Sequence, residues 1–324
     1  MPPPATVLTL RLRNWVGDVV LGLPLLQRLA DSGHRLQLTG KGWAQDLLAG
    51  HGWAVQPLPK TMVGRIAQLR ALRSAAPVQD GDAAGGLNAV CLPYSFSSAL
   101  EFRLAGLRTI GHAWEGRSLL LQRAVPRPPR LHELQVYWRL GDALLGRTAP
   151  LPERIGLRPS ATHFAQAAAL RAQHGIAADS IFICPFAGGT WDKQPKTWPG
   201  FAAFVAHELP AFGRDIAVCP GPGEEALARE QFPTARLLPD VGLGAYAALL
   251  HDAALMVSND TGPGHIAAAV GAPLVSVLGP SNAAQWGAWG PTVQFVQGPG
   301  GDTPWPATAA VRDAVARALA TPAR

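Results

Sequence analysis

Short apolar runs alternate with amphipathic stretches along most of the chain. In the first half, the apolar runs predict strands over residues 7–12, 35–39, 53–57 and 87–91. The intervening stretches place apolar side chains three or four residues apart, as Val20, Leu23 and Leu26 do. They predict helices over residues 19–30, 43–49, 63–75, 97–105 and 131–145. This alternation predicts a parallel sheet that is covered by helices on both faces.

The pattern stops at residues 148–160, where the segment TAPLPERIGLRPS contains three prolines and is interpreted as a linker. Beyond it, strands are expected over residues 181–184, 215–219, 254–257 and 273–278. Helices are expected over residues 162–174, 201–209, 224–231, 245–251, 264–270 and 307–319. The predicted fold class is α/β, with two doubly wound parallel-sheet domains, 1–155 and 156–324, facing across a cleft. The last helix is free to pack back on the first domain.

The composition excludes several classes of protein. Hydrophobic residues make up 48% and charged residues 15%, which excludes a disordered chain and a coiled coil. No apolar run reaches the ~18 residues that a membrane-spanning helix needs, and the first residues lack the pattern of a signal peptide. Cys91, Cys184 and Cys219 form neither a disulfide framework nor a zinc-binding pattern. We therefore expect a protein of the reducing cytoplasm that holds no metal.

Positive charge is concentrated in the first half. Residues 1–155 carry 18 Lys and Arg against 10 Asp and Glu, whereas residues 156–324 carry 10 against 12. A basic half predicts a polyanionic partner for that half alone. Nucleic acid, an anionic membrane surface and a phosphorylated glycolipid all satisfy this condition.

The segment NWVGD (residues 14–18) lies between the first expected strand and its helix. Asp18 has two interpretations: it caps the helix N-terminus, or it is a carboxylate at the edge of a cleft that acts as a general base. A cap does not explain why Trp15 should lie in an otherwise exposed turn.

Two later segments follow expected strands and are suited to anions. PFAGGT (185–190) is a Gly-rich turn, and Lys193 and Lys196 follow it, so that backbone N–H groups and an ammonium could face a phosphate. SNDTGPGH (258–265) places Thr261 and Gly262 at a helix N-terminus, with Asp260 able to accept from a sugar hydroxyl and His265 able to donate. An ordinary Gly-rich loop and a structural histidine are the alternatives.

A weaker signal lies at residues 221–226, where Gly221, Gly223 and Ala226 fit the dinucleotide pattern G-x-G-x-x-A. Glu224 or Glu225 could instead hold ribose hydroxyls or simply begin a helix. The triplet DGD (80–82) has the D-x-D form of metal-dependent sugar transferases, but no expected strand precedes it.

Three ordered motifs resemble glycosyltransferase family 9, the bacterial lipopolysaccharide heptosyltransferases. They are NWVGDVVLGLPLLQRL (14–29), which is most similar to the heptosyltransferase II type, KTWP (196–199) and VSNDTGPGHIAAAVGAPLVSVLGPS (257–281). The resemblance implies a GT-B fold, in which the first domain takes the acceptor and the second takes a nucleotide-sugar. In three respects the chain departs from the family: Gly264 replaces a bulkier residue, residues 186–190 (FAGGT) differ from the usual Pro-Gly-Ala turn, and residues 191–195 lengthen the segment before Lys196.

The resemblance also implies roles for the candidate residues. Asp18 would be the base of an inverting transfer of heptose from ADP-L-glycero-D-manno-heptose to the inner core of lipopolysaccharide. The donor would be bound by eight or nine residues of the second half: Thr190, Lys193, Lys196, Glu224 or Glu225, Asp260, Thr261, Gly262 and His265. The anionic lipid A–core acceptor would meet the densest arginine cluster: Arg117, Arg123, Arg127 and Arg130.

The same resemblance implies an enzyme without a metal or other cofactor and without a nucleic-acid partner. It would act in the cytoplasm, in peripheral contact with the inner face of the inner membrane. Three alternatives stay open at this point. They are a GT-B enzyme that uses another nucleotide-sugar, an NAD-dependent oxidoreductase that uses Gly221 and Gly223, and a non-catalytic binder of anionic glycans.

Overall fold

The computed structural model describes residues 6–75, 86–188, 190–191, 193–300 and 304–320. The chain divides into two compact units, Met1–Pro152 and Glu153–Arg324. The triplet DGD at residues 80–82, which the sequence did not favour as a metal-binding motif, lies outside the described residues. No helix among the described residues is long and apolar enough to cross a lipid bilayer.

The first unit is a six-stranded parallel sheet with helices between the strands. Its strands are β1 (Val7–Arg11), β2 (Arg35–Gly40), β3 (Val55–Pro57), β4 (Ala89–Cys91), β5 (Thr109–Ala113) and β6 (Arg123–Pro126). Its helices are α1 (Val16–Asp31), α2 (Trp43–Leu48), α3 (Met62–Ser74), α4 (Phe96–Leu104) and α5 (Glu133–Leu145). The strand order is β3-β2-β1-β4-β5-β6, and every neighbouring pair is parallel.

The second unit repeats this architecture. Its strands are β7 (Ile181–Cys184), β8 (Thr190–Trp191), β9 (Gln194–Pro195), β10 (Ile216–Val218), β11 (Arg236–Leu237), β12 (Leu255–Asn259), β13 (Leu274–Leu278) and β14 (Val293–Gln297). Its helices are α6 (Ala161–His174), α7 (Phe201–His207), α8 (Glu225–Gln231), α9 (Leu243–His251), α10 (Gly262–Val270), α11 (Ala283–Trp286) and α12 (Thr308–Ala320). The parallel order is β11-β10-β7-β12-β13-β14, and β8 and β9 form a separate antiparallel hairpin.

The order of strands reverses once in each sheet. The reversal falls between β1 and β4 in the first unit and between β7 and β12 in the second. At such a point the two neighbouring strands continue into loops that diverge, and ligands of doubly wound sheets bind beyond the carboxyl ends of those strands. The fold therefore nominates the loops after β1 and β4, and after β7 and β12, as functional.

Four strands of the main sheets were not expected from the sequence: β5, β6, β11 and β14. Three of them are edge strands, and edge strands such as β6 bury little of their surface, so their apolar signal is weak. In the fourth, β5, the apolar run is interrupted by Gly111 and His112. The ring of His112 is buried and contacts the carbonyl oxygens of Val125 and Val136.

The last helix, α12, belongs to the core of the second unit. Its side chains Val311, Ala314 and Val315 are fully buried with Val275 and Val277 of β13. The apolar face of α12 therefore covers the second sheet.

Helices α6 and α9 approach closely at Gly244, and this closeness is testable. A Cβ at this position would overlap the imidazole of His163, which is 4% exposed and held in a capping box with Ser160. We expect Gly244→Ala to lower the free energy of unfolding of the second unit by about 1–3 kcal/mol. That loss corresponds to a fall in Tm of roughly 2–10 °C, measured by differential scanning calorimetry.

Gly42→Ala is the matched control, because Gly42 has open space around it and an ordinary helical φ of −55°. Its Tm should equal that of the wild type. An unchanged Tm for Gly244→Ala as well would show that the two helices can separate without cost.

Candidate active site

Asp18 lies in the first turn of α1, just beyond the carboxyl end of β1. Its Oδ2 is 3.4 Å from Nε of Arg13, and its side chain is only 11% exposed. Trp15 occupies the N-cap position of α1, and no side chain caps this end of the helix. The interpretation of Asp18 as the helix cap is therefore wrong, and its carboxylate faces a guanidinium instead.

Burial raises the pKa of Asp18 above that of an ordinary aspartate. The guanidinium of Arg13 opposes this shift, and the carboxylate of Glu133 adds to it. A general base is most effective when its pKa lies near the pH at which it works. The surroundings of Asp18 therefore move it in the direction that a catalytic base requires.

An aromatic ring with two stacked cations lies beside Asp18. The ring belongs to Tyr94, which follows β4, and its centroid is 4.4 Å from Cζ of Arg13 and 4.6 Å from Cζ of Arg127. The hydroxyl of Tyr94 donates to Glu133, and Nη2 of Arg127 is 3.2 Å from the same carboxylate. Cation–π contacts of this kind help to hold guanidinium groups in place. The cluster is suited to an anionic sugar.

Of the four arginines expected to bind the acceptor, only Arg127 joins this cluster. Arg117 is fully buried, and its guanidinium donates to main-chain carbonyl oxygens in and just after β4 and β5. The expectation for Arg117 is wrong, because its guanidinium is buried within the fold, and spacing along the chain does not show which arginines are used internally. Arg123 is the first residue of β6, so it lies at the amino end of that strand, and it donates to the carbonyl oxygen of Ala143. Arg123 and Arg130 are both exposed, and their roles stay predictions.

Arg13, Tyr94 and Glu133 were missed by the sequence analysis. A signal was available for two of them, since Arg13 immediately precedes the NWVGD segment and Tyr94 follows an expected strand. Glu133 lies in the first turn of α5, and only the packing of that helix brings it to Tyr94.

In the second unit, Asp260 lies between two basic side chains. It directly follows β12 and is 7% exposed. Its Oδ2 is 3.5 Å from Nζ of Lys196, and its Oδ1 is 4.0 Å from Nε2 of His265. The fold thus brings together residues that come from two separate sequence motifs.

Helix α10 begins beside this cluster, with Thr261 at the N-cap position and Gly262 as the first residue. The first N–H groups of a helix have no partner within it and attract anions. Oγ1 of Thr261 is 3.6 Å from Sγ of Cys184, whose pKa is raised to about 12 by burial. This thiol therefore stays protonated at neutral pH and adds no negative charge to the site.

Asn259 is a further residue that the sequence analysis missed, and it links three segments of the second unit. It is fully buried. Its Nδ2 donates to the carbonyl oxygen of Pro185 at 2.5 Å, and its Oδ1 accepts from the backbone N–H of Trp198 at 3.0 Å. Because Lys196 lies two residues before Trp198, these bonds fix the backbone that carries the lysine. A buried side-chain amide must have its polar atoms paired, and a polar residue that ends an apolar strand was the available signal.

The Gly221–Gly223 turn is closed by the chain itself. Oε2 of Glu224 accepts from the backbone N–H of Gly221 at 2.8 Å. The turn follows β10, which lies away from the point where the strand order reverses. In a dinucleotide fingerprint the turn follows the central strand and its N–H groups face the pyrophosphate. Both observations argue against NAD, and they leave Glu225, the first residue of α8, as the freer candidate for a ribose contact.

The remaining candidates lie near the β8–β9 hairpin. Lys193 is in its turn, has a φ of +63° and is exposed. Gly189, Asp192 and the side chain of Thr190 lie outside the described part of the structure. The predicted phosphate contact of Thr190 therefore stays a prediction.

Comparison with known proteins gives concordant results. The family model for glycosyltransferase family 9 (heptosyltransferase) matches residues 88–304. The ADP-heptose LPS heptosyltransferase II of E. coli has a similar structure, with a TM-score of 0.76 at 20% identity, over 97% of this chain and 98% of that one. A family 9 glycosyltransferase from Veillonella parvula gives 0.76 at 18% identity, over 91% and 87%.

The E. coli heptosyltransferase WaaC, in a structure with ADP, gives a TM-score of 0.72 at 21% identity, over 97% of this chain and 100% of that one. A search of curated protein sequences found no match. At these identities the structural similarities establish the fold, which is GT-B. The sequence match covers more than half of the chain. The chain is therefore a glycosyltransferase and belongs to glycosyltransferase family 9, the heptosyltransferase family.

Proposed function

We propose that the protein transfers heptose from ADP-L-glycero-D-manno-heptose to the inner core of lipopolysaccharide, with inversion at the anomeric carbon. The observation that carries the proposal is the cluster of Lys196, Asp260 and His265 beside the N-terminus of α10. Two proteins of the same fold support the choice of donor by their names. One is an ADP-heptose LPS heptosyltransferase II, and the other is WaaC, which has been solved with ADP-2-deoxy-2-fluoro heptose.

The second unit would bind the donor. The ammonium of Lys196, which contacts Asp260, and the N–H groups of Thr261 and Gly262, which follow Asp260 in the chain, would hold the diphosphate. An ammonium and the N-terminus of a helix both attract anions. The carboxylate of Asp260 would accept from heptose hydroxyls, and His265 would donate a further hydrogen bond. Glu225 would accept from the ribose, and Lys193 and Thr190 would add contacts from the hairpin.

The first unit would supply the base. Asp18 takes the proton of the acceptor hydroxyl as that oxygen forms a bond to the anomeric carbon of the donor. The bond between the anomeric carbon and the diphosphate oxygen breaks, and ADP leaves with the electron pair. Attack from the face opposite the leaving group inverts the configuration. Positive groups already in place around the diphosphate stabilise the charge that develops there, and no metal or other cofactor enters this scheme.

The acceptor would be recognised by charge. Arg13 and Arg127 are held on the ring of Tyr94, and the exposed ring of Trp114 lies 5.0 Å from Arg127. Carboxylate and phosphate groups of the lipid A–core region would pair with these guanidinium groups. The enzyme would work in the cytoplasm and would be held at the inner face of the inner membrane by its acceptor. Nucleic acid would not be a partner of the basic first unit.

Replacement of Asp18 tests the proposed base. We expect Asp18→Asn to lower kcat/KM for transfer by about 10²–10⁴-fold, because the amide cannot take the proton. The Kd for ADP, measured by isothermal titration calorimetry, should not change. Asp31→Asn is the control, since Asp31 is an exposed aspartate at the other end of the same helix. Wild-type activity in Asp18→Asn would assign the proton to another group.

Replacement of Lys196 tests the donor site. We expect Lys196→Ala to raise the Kd for ADP and for ADP-heptose by about 10–100-fold, the value of one hydrogen bond to a charged group. Lys193→Ala is the matched comparison, because Lys193 is exposed in the hairpin turn, and its effect should be smaller. Tight binding of NADH or of a different nucleotide-sugar, with no effect of Lys196→Ala on ADP, would contradict the proposed donor.

A further inference from the structure

Glu133 is a buried carboxylate that the proposed reaction does not use. Its side chain is 1% exposed, and it lies in the first turn of α5. A buried carboxylate is costly unless hydrogen-bond donors or cations surround it. Glu133 has two such partners, the hydroxyl of Tyr94 and the guanidinium of Arg127. Both partners belong to the cluster beside Asp18, so the carboxylate of Glu133 is buried directly against that cluster.

The contacts of Glu133 continue as far as Asp18. The hydrogen bond from Tyr94 to Glu133 fixes the position of the aromatic ring. The ring in turn carries the guanidinium of Arg13, with 4.4 Å between Cζ and the centroid. Nε of Arg13 then lies 3.4 Å from Oδ2 of Asp18. Three successive contacts therefore join the carboxylate of Glu133 to that of Asp18.

The two ends of this chain of contacts are carried by helices that pack on each other. Helix α1 holds Asp18, and α5 holds Glu133. The packing is close: a Cβ on Gly22 of α1 would be in ordinary contact, at 3.7 Å, with the ring of Tyr137 in α5. Glu133 and Asp18 are thus held at a constant separation by the core of the first unit.

We propose that Glu133 is a positioning residue for the catalytic base, which it serves through Tyr94 by holding Arg13 beside Asp18. This inference rests on the proposed role of Asp18. Glu133 touches neither substrate nor reacting atoms in this scheme, and it acts by placing the guanidinium and by adding a negative charge behind it.

The electrostatic consequence has a definite sign. Among the described residues, the groups that act on Asp18 are Arg13 from the loop after β1 and Glu133 and Tyr137 from α5, while Tyr94 from the loop after β4 contacts both Arg13 and Glu133. Burial raises the pKa of both tyrosines, so they remain neutral and contribute no charge near pH 7. Arg13 lowers the pKa of Asp18, and the carboxylate of Glu133 raises it. Loss of the charge on Glu133 should therefore lower the pKa of Asp18.

Glu133→Gln isolates this effect, because the amide oxygen can still accept from Tyr94 but carries no charge. We expect the acid limb of the pH profile of kcat/KM to move to lower pH, because Asp18 then loses its proton at lower pH. The titration of the Asp18 carboxyl carbon, followed by ¹³C NMR without substrate and assigned by its absence in Asp18→Asn, should move in the same direction. Glu115→Gln is the control, since Glu115 is an exposed carboxylate bonded to Trp114, and it should leave both curves in place.

Tyr94→Ala tests the positional part of the inference. Without the ring Arg13 loses its support, and a displacement of about 1 Å at a reacting group costs on the order of 10²-fold in kcat. Tyr94→Phe keeps the ring and its stacked cations but loses the bond to Glu133, so its kcat should lie between those of the wild type and Tyr94→Ala. The Kd for ADP should be unchanged in both variants, and an unchanged Tm and far-UV circular dichroism spectrum would show that the first unit, which contains Tyr94, is still folded.

An Asp18 titration that is identical in the wild type and in Glu133→Gln would overturn the inference, and so would a wild-type kcat in Tyr94→Ala. Failure of the proposed function looks different. In that case Asp18→Asn stays active or ADP-heptose is not turned over, while the NMR titration still reports whether Glu133 acts on Asp18.

Discussion

In a parallel sheet, each strand is followed by a connection that returns to the end of the sheet where the strand began, and helices make these returns on both faces. The loops that leave the carboxyl ends of the strands therefore all lie at the same end of the sheet. Where the strand order reverses, two neighbouring loops turn to opposite faces and leave space between them. Both units of this protein obey the constraint with the same order of six strands. Asp18 and Tyr94 lie after β1 and β4, and Asp260 lies after β12, because of it.

The candidate site residues are held in place by other side chains that are buried and hydrogen-bonded. Asn259 ties the loop after β7 to the segment of Lys196, and Arg117 ties the ends of β4 and β5. In the first unit, Glu101 is buried between Arg11 and Arg65. Removing one partner from such a group leaves a buried polar atom without compensation, which costs far more than the bond contributes. These residues therefore act on the site by limiting its motion.

Much of the fold followed from the sequence, because strands buried on both faces read as continuous apolar runs. All five residues of β12 are buried, and its apolar run was enough to predict it. Edge strands such as β6 and β14 bury at most one of their residues and therefore show no continuous apolar run. The candidate site residues also differ in whether the sequence indicates them. Asp18, Lys196 and Asp260 lie in segments whose Gly-rich turns and strand ends are local features.

The sequence by itself determined the order of most helices and of the strands with continuous apolar runs, the turns after those strands and the excess of positive charge in the first half. These are properties of neighbouring residues and of composition. Only the tertiary structure decided which charged side chains are available. Arg117 and Arg127 are ten residues apart in one basic segment, yet one donates all its bonds inward and the other lies over Tyr94. Likewise Glu133 reaches Tyr94 only because α5 packs on α1, and a contact between residues 39 positions apart leaves no trace in local spacing. Burial and pairing are set by the whole core, and they decide which charges serve the fold and which serve a ligand.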